Sequence, residues 1–179
     1  DKQTICNICE AGKYQDQDTA TAAECKNCTT GLYIDDDGTN EDKHNSANSC
    51  KHCPASWEFK SVTEPCKICQ GGRYQNDSNS FDLECKKCPA NKFIADNSDD
   101  VDYHDSFGDC TQCQSGTFST SGQRFCTNCP AGKKNLKVNG EITECQLCAV
   151  GHFARLAGAN ECLGCGIGQY QSEEGLPYW

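Results

Sequence analysis

Eighteen of the 179 residues are cysteine, and every one belongs to a Cys-x-x-Cys pair. The nine pairs begin at Cys6, Cys25, Cys50, Cys66, Cys85, Cys110, Cys126, Cys145 and Cys162. Paired thiols at this spacing serve three chemistries. A redox dithiol needs a thioredoxin-like βαβ pattern, which this sequence lacks. A tetrahedral zinc ion takes four thiolates, and Cys6, Cys9, Cys25 and Cys28 have suitable spacing for one. Nine pairs cannot be divided into four-thiolate sites without one pair left over, and the chain lacks the basic surface of zinc modules that bind nucleic acid. The third chemistry is disulfide bridging. About one residue in ten being cysteine is the density of a disulfide scaffold.

The other groups able to do chemistry lie between the pairs. Two acidic clusters, Asp35-Asp36-Asp37-Gly38-Thr39-Asn40-Glu41-Asp42 and Asp96 through Asp102 with Asp105, sit in corresponding loops. Alternating oxygen ligands suit calcium, which makes Asp35, Asp37, Asp42, Asp96, Asp99 and Asp102 candidate ligands and calcium the one candidate cofactor. The spacing is not that of an EF-hand loop, and a solvated acidic loop is the plainer alternative. His44 and His104 share one repeat position, as a ligand, a subunit contact or a residue bonding its own loop. Asn76-Asp77-Ser78 and Asn27-Cys28-Thr29 are N-glycosylation acceptors, so Asn76 and Asn27 are expected glycan sites. No phosphate loop, nucleophile elbow or Cys-His pair outside the framework is present, and the chain is not expected to be an enzyme.

The elements that position these groups repeat. The pairs recur at 60 residues, Cys6 to Cys66 to Cys126 and Cys25 to Cys85 to Cys145, with only Cys162 out of step. This divides the chain into cysteine-rich repeats at 1–65, 66–125 and 126–179, the last with a shortened loop. Three positions after the second Cys of each pair stands Gly12, Gly31, Gly72, Gly116, Gly132, Gly151 or Gly168, with Ser56 and Asn91 in the other two cases. Those residue types suit a turn with positive φ. Two positions further stands an aromatic ring in seven of nine units, among them Tyr14, Tyr33, Phe93 and Tyr170. One ring per unit packing on a disulfide is the expected minimal core. Apolar residues show no helical period, whereas Lys13-Tyr14-Gln15 and Leu32-Tyr33-Ile34 read as short strands. The fold expected is a small disulfide-rich repeat array: elongated, mostly coil and turns with short antiparallel β-hairpins, and little or no helix.

Composition agrees. The apolar fraction is 36% with the cysteines counted, and about a quarter without them, too little for one large core. A net charge of −10 repels phosphate backbones, so nucleic acid is not an expected partner. No run of 18 apolar residues exists to span a membrane. The chain begins Asp1-Lys2-Gln3, which reads as a processed start or as a segment of something longer.

Strings such as Cys129-Pro130-Ala131-Gly132-Lys133 and Cys165-Gly166-Ile167-Gly168-Gln169-Tyr170-Gln171 resemble the cysteine-rich ephrin-receptor-like repeats, relatives in style of the tumour-necrosis-factor-receptor modules. The resemblance covers nearly the whole chain and implies extracellular, strand-poor modules, secreted or at the cell surface. It implies the serial pairing Cys9–Cys25, Cys28–Cys50, Cys53–Cys66, Cys69–Cys85, Cys88–Cys110, Cys113–Cys126, Cys129–Cys145 and Cys148–Cys162, against a crossed scheme of the Cys6–Cys25, Cys9–Cys28 kind. Serial pairing leaves Cys6 and Cys165 to bond outside this segment, to neighbouring repeats or to another subunit. The acidic loop from Cys28 to Cys50, repeated from Cys88 to Cys110, is long for such a module. Two functions fit. One is an extracellular structural protein that builds or coats a filament or surface appendage, its partners being other copies of itself. The other is a receptor or adhesion ectodomain array that binds a protein ligand.

Overall fold

The computed structural model describes residues 6–18, 24–81, 83–96, 99–138 and 141–178. Asp1-Lys2-Gln3 and Trp179 lie outside them, as do Asn97 and Ser98 of the second acidic cluster. Nine modules follow one another, opened by Cys9, Cys28, Cys53, Cys69, Cys88, Cys113, Cys129, Cys148 and Cys165. Each begins with a turn. The third residue after the cysteine has positive φ throughout, between 64° at Asn91 and 91° at Gly31, and Ser56 and Asn91 adopt it without being glycine.

The chain leaves the turn as a two-residue strand and returns through the two residues between the next pair of cysteines. In this way β1 (Lys13–Tyr14) pairs with β2 (Lys26–Asn27), β3 (Leu32–Tyr33) with β4 (Lys51–His52), and β5 (Trp57–Glu58) with β6 (Lys67–Ile68). β7 (Arg73–Tyr74) pairs with β8 (Lys86–Lys87), β9 (Lys92–Phe93) with β10 (Thr111–Gln112), and β11 (Thr117–Phe118) with β12 (Thr127–Asn128). β13 (Lys133–Val138) pairs with β14 (Glu141–Leu147) and β15 (His152–Phe153) with β16 (Leu163–Gly164). All are antiparallel, two-stranded sheets. Among the described residues helix is confined to four single 3-10 turns.

The strand pairing accounts for the Cys-x-x-Cys spacing. In extended chain, residues three apart point to opposite sides. The first cysteine of a pair therefore bonds back to the module just ended, and the second bonds forward. The eight bridges are Cys9–Cys25, Cys28–Cys50, Cys53–Cys66, Cys69–Cys85, Cys88–Cys110, Cys113–Cys126, Cys129–Cys145 and Cys148–Cys162, with Cα atoms 5.6 to 5.8 Å apart. Their sequence separations run 16, 22, 13, then 16, 22, 13, then 16 and 14, which is the 60-residue period written in loop lengths.

Modules are fastened to one another through backbone. The N–H of a turn residue donates to the carbonyl three residues after the next turn residue: Ser56 to Gln75 (2.8 Å), Gly72 to Ile94 (3.0 Å), Asn91 to Ser119 (2.7 Å), Gly132 to Ala154 (2.7 Å) and Gly151 to Gln171 (3.0 Å). The turn carbonyl in turn accepts from the second cysteine of the next pair, as in Cys28 to Gly12 and Cys165 to Gly151. The side chains at the five receiving positions, Gln75, Ile94, Ser119, Ala154 and Gln171, are 6% exposed or less, as are Ile34 and Asn135 at the same count in their modules, while Phe59 is half-buried. At three of the polar positions it bonds back to the preceding hairpin, whereas Gln171 Nε2 donates to the Tyr178 carbonyl. Gln75 Nε2 donates to the Trp57 carbonyl (3.0 Å), Asn135 Nδ2 to that of Thr117 (3.0 Å) and Ser119 Oγ to that of Lys92 (3.0 Å).

The hydrophobic clusters are correspondingly small. Tyr33, Trp57 and Phe59 pack against Cys53, Cys66 and Leu83, and Tyr74 packs against Cys88, Ile94 and Cys110. The recurrent ring does pack on disulfides, with sulfur and one aliphatic side chain completing the core. The seventh hairpin departs from the expected shortness of the strands. β13 and β14 are six and seven residues long, with a register shift between Leu136 and Lys137. Val138, Ile142 and Thr143 around the Asn139-Gly140 dipeptide are a sequence mark of such a hairpin. The chain forms two compact units, Asp1–Cys69 with Gln75–Cys85, and Gln70–Tyr74 with Lys86–Trp179.

Two turn glycines separate backbone strain from crowding. Gly132 has φ +81°, and a Cβ there would run into the Gly175 carbonyl; Gly151 has φ +77° with nothing within 4 Å. Replacing Gly151 by Ala is expected to cost about 1–2 kcal/mol, the penalty of left-handed backbone alone. Gly132→Ala is expected to cost at least twice that, because backbone must move. Urea unfolding of the two variants checks the order, and equal losses would show that the Gly132 and Gly175 backbones do not pack together.

Candidate functional site

The two long loops build the same buried constellation from polar groups. In each, a 3-10 turn ends on the histidine: Glu41–Lys43 on His44 and Val101–Tyr103 on His104, capped by Asn40 and Asp100 side chains that accept from backbone N–H groups. Both imidazoles are buried, His44 at 3% and His104 at 0% exposure. His104 Nε2 lies 3.0 Å from Asp96 Oδ2, and its Nδ1 lies 2.7 Å from the Arg73 carbonyl. His44 repeats this with Asp36 Oδ2 at 3.0 Å and the Lys13 carbonyl at 2.7 Å. Both ring nitrogens thus face oxygen acceptors, a carboxylate on one side and a backbone carbonyl on the other. Each histidine thereby ties a long loop to the first strand of the preceding hairpin, β1 or β7. Of the roles open to this repeat position, the loop-bonding one is what the geometry displays.

The carboxylate of each pair also collects backbone donors. Asp36 Oδ2 accepts from the N–H of Gly38 (2.9 Å), Thr39 (2.8 Å) and Asn40 (3.1 Å), and Asp96 Oδ2 from those of Asp99 (3.0 Å) and Asp100 (3.2 Å). Donation from Asn40, opposed by burial and joined by Thr39 and His44, holds Asp36 far below the usual carboxylate range. At Asp96 burial works upward, but the His104 bond and the Asp100 and Asp99 N–H groups outweigh it and the group is lowered.

The six carboxylates named for calcium are thus placed differently. Asp96 is committed to protein donors, while Asp35, Asp37, Asp42, Asp99 and Asp102 are exposed. Among the described residues no three His, Cys, Asp or Glu side chains are gathered as a metal group. Asp36, the organising group of the first loop, was not among the six; the 60-residue register that equates it with Asp96, and the shared spacing of eight to His44 and His104, is the signal that finds it. The buried position three after each turn residue carried no such signal, because its residue type changes from module to module.

Asn76 and Asn27 are both exposed, Asn27 on β2 immediately before the bridged Cys28. Cys6 is free and exposed, and Cys165 is free and half-buried. No helix is long and apolar enough to cross a membrane. The concave surfaces by the first loop are shallow and polar-rimmed: one of about 320 Å³ is lined by Ala11, Ile34, Asp35, Asp36, Asp37, Thr63 and Pro65. The constellation as a whole orders loops and presents acid to solvent.

Because Asp36 and Asp96 are lowered in the folded state, their contribution to stability is complete at neutral pH and is lost as pH falls below the unfolded carboxylate value of about 4. Thermal unfolding followed from pH 7 to pH 2 is expected to show a flat region followed by an acid decline. An Asp36→Asn/Asp96→Asn variant should start lower at pH 7 and decline less. An unchanged acid slope in that variant would remove these two groups from the account.

No protein-family model matches the chain. It is similar to the mouse protein named Sushi, von Willebrand factor type A, EGF and pentraxin domain-containing protein 1, at 27% identity over an alignment of 149 residues, with 72% of this chain and 4% of the relative covered. It is also similar to human Signal peptide, CUB and EGF-like domain-containing protein 2, at 27% identity over 131 residues, 72% of this chain and 11% of the relative. The mouse form of the latter is 27% identical over 122 residues, 68% of this chain and 10% of the relative. The chain thus spans about a tenth or less of the curated relatives it matches. Disulfides persist in oxidising environments. With eight of them in a repeated pattern and similarity to proteins of this kind, the chain is an extracellular cysteine-rich repeat protein.

Proposed function

We propose that the chain is a structural component of an extracellular filament or cell-surface appendage, which its modules build or coat, and that it acts without catalysis. The observation that carries this reading is the serial junction. Each bridge joins one cysteine pair to the next, and the junctions that start from Ser56, Gly72, Asn91, Gly132 and Gly151 reuse the same backbone bonds, which supports a protein built by repeating one unit. The ordered groups support the same view, since the buried histidines and carboxylates are spent on holding loops in place. The ephrin-receptor-like resemblance of Cys129-Pro130-Ala131-Gly132-Lys133 belongs to this reading, as a source of strand-poor modules that tolerate many loops.

A second reading has one observation in its favour. The matched stretch is a small share of large relatives whose names combine several domain types, as an array that spaces binding domains would be. The chain would then be part of a receptor or adhesion ectodomain. Immunogold electron microscopy of native material decides between them. Label at regular intervals along a fibre or surface coat is expected for the structural role; label as isolated single copies over a membrane would sink it and favour the ectodomain.

A further inference from the structure

The two long loops have one scaffold and two different surfaces. Both carry the buried histidine, its carboxylate and the capped 3-10 turn, in register at 60 residues. On that scaffold the first loop holds Glu41, Lys43 and Ala47 out to solvent. At the same positions the second holds Val101, Tyr103 and Phe107, which are 39%, 57% and 47% exposed. The first loop builds the constellation with the polar set, so ordering the loop does not require the apolar one. Aromatic and aliphatic groups held out to solvent by an ordered loop are the composition of a contact surface.

Beside Tyr103 lies a cavity of about 400 Å³, lined by Phe93, Ile94, Tyr103 and Thr111 with the carboxylates of Asp96 and Asp109. The corresponding cavity of the first loop, of about 350 Å³, has Asp35, Asp42, Lys43 and Lys51 among its lining. In the 60-residue register Ala95 replaces Asp35, Tyr103 replaces Lys43 and Thr111 replaces Lys51. The first wall therefore balances two carboxylates with two ammonium groups, whereas the second has two carboxylates and no cation. Two cations of the second region are engaged already. Lys92 lies over the Phe107 ring at 4.5 Å, and Arg124 Nη2 donates to the Ala95 carbonyl at 2.9 Å. Asp109 gives Oδ2 to the Ser106 N–H at 2.8 Å and is half-buried. A ring face, an apolar wall and carboxylates in one cavity suit a long basic side chain. The ring attracts its cation, the apolar wall takes its methylene stem, and a carboxylate pairs with its head.

We propose that the cavity of the second long loop docks a segment of a partner protein that presents an arginine or lysine flanked by apolar residues. The basic side chain enters beside Tyr103 with its head toward Asp109, and its apolar neighbours rest on the exposed surfaces of Tyr103 and Val101. Charge complementarity selects this occupant, since the chain from Cys88 to Cys110 carries six Asp against one Lys. The first loop, with Lys43 and Lys51 in its wall, disfavours the same segment. Such a site goes beyond the structural role and does not depend on it, because a fibre subunit and an ectodomain can both carry it.

The test titrates the isotope-labelled full chain, its eight bridges intact, with the end-blocked peptide Gly-Leu-Arg-Leu-Gly and follows amide chemical shifts. Saturable shifts are expected at Ala95, Tyr103, Asp109 and Thr111, with a dissociation constant of about 1 mM for one anchored side chain. The amides of Asp35, Lys43, Ser49 and Lys51 should not move. The same peptide with Glu in place of Arg should bind at least about tenfold more weakly. An Ala95→Asp/Tyr103→Lys/Thr111→Lys variant gives the second cavity the wall of the first, and should also lose at least about tenfold, with the His104 amide unmoved as a sign of an intact loop. Tyr103→Lys alone should weaken binding at least about threefold. Equal binding of the Glu peptide, equal shifts around both loops, binding retained in the variants, or no saturable shift would overturn the proposal. Shifts of the same amides on raising protein concentration alone would assign the surface to a second copy. The same shifts with calcium chloride alone, with displacement of the peptide, would assign it to a metal cation. Either result overturns the partner-protein site.

Discussion

The bond from the second cysteine of one pair to the first of the next is the interaction on which everything else depends. A loop of 13 to 22 residues with only a few apolar side chains cannot offset its own ordering entropy by burial. Closing it covalently is worth about 3 kcal/mol in the chain-entropy model, by restricting the unfolded chain. The sulfur then takes a second role. Cys53, Cys69, Cys88, Cys129 and Cys148 are 0% exposed, and half-buried rings pack in the clusters of Cys53 and Cys88, so the bridges supply part of the core as well as closing the loops. Turn, two-residue strand and ring all sit within six residues of the buried cysteine because that is where the only shelter lies.

Given the bridges, the modules still have to be held to one another, and the sequence is free to vary because the backbone does it. Turn N–H to carbonyl, and cysteine N–H to turn carbonyl, need no particular side chain. The position behind the accepting carbonyl consequently holds Gln75, Ile94, Ser119, Ala154 or Gln171, each 6% exposed or less. An apolar residue there fills space; an amide or hydroxyl fills it and satisfies carbonyls of the preceding hairpin, which is what keeps a buried polar group from costing stability. The turn residue itself is constrained by conformation and by closeness. Gly12 and Gly132 have a backbone carbonyl where a side chain would begin, while Ser56 and Asn91 occupy the same left-handed turn where that space is free enough for a small one.

This division explains what could be read in advance. Spacing carried the turn, the strand and the ring, since each stands at a fixed count from a cysteine: Lys13-Tyr14 and Leu32-Tyr33 are strands, and the Gly, Ser and Asn positions are the left-handed turns. The long β13–β14 hairpin was missed because the cysteine count dominates there and Lys134 breaks the ring pattern. The buried receiving position was missed because residue type carries no signal where backbone makes the contact. The acidic loops were legible as a recurring cluster, but charge pattern does not tell which carboxylate turns inward. The count of eight to the histidine is what Asp36 and Asp96, the carboxylates bonded to the rings, have in common.

The histidine pairs then follow from loop length. The closure cost of a loop grows slowly with its length, but the number of residues left to wander grows in proportion. Bridges separated by 13 or 16 residues hold a turn and a hairpin with little left over; those separated by 22 carry an extra segment with no bridge of its own, in which Phe107 of the second loop reaches the Tyr74 ring. An apolar anchor in that segment would need a larger core than the module possesses. A buried imidazole bonded to a carboxylate on one side and to the backbone of the preceding hairpin on the other orders the segment with hydrogen bonds instead. It appears in both 22-residue loops, and Asp35, Asp37, Asp42, Asp99 and Asp102 are left facing solvent, where their charge favours a dispersed chain.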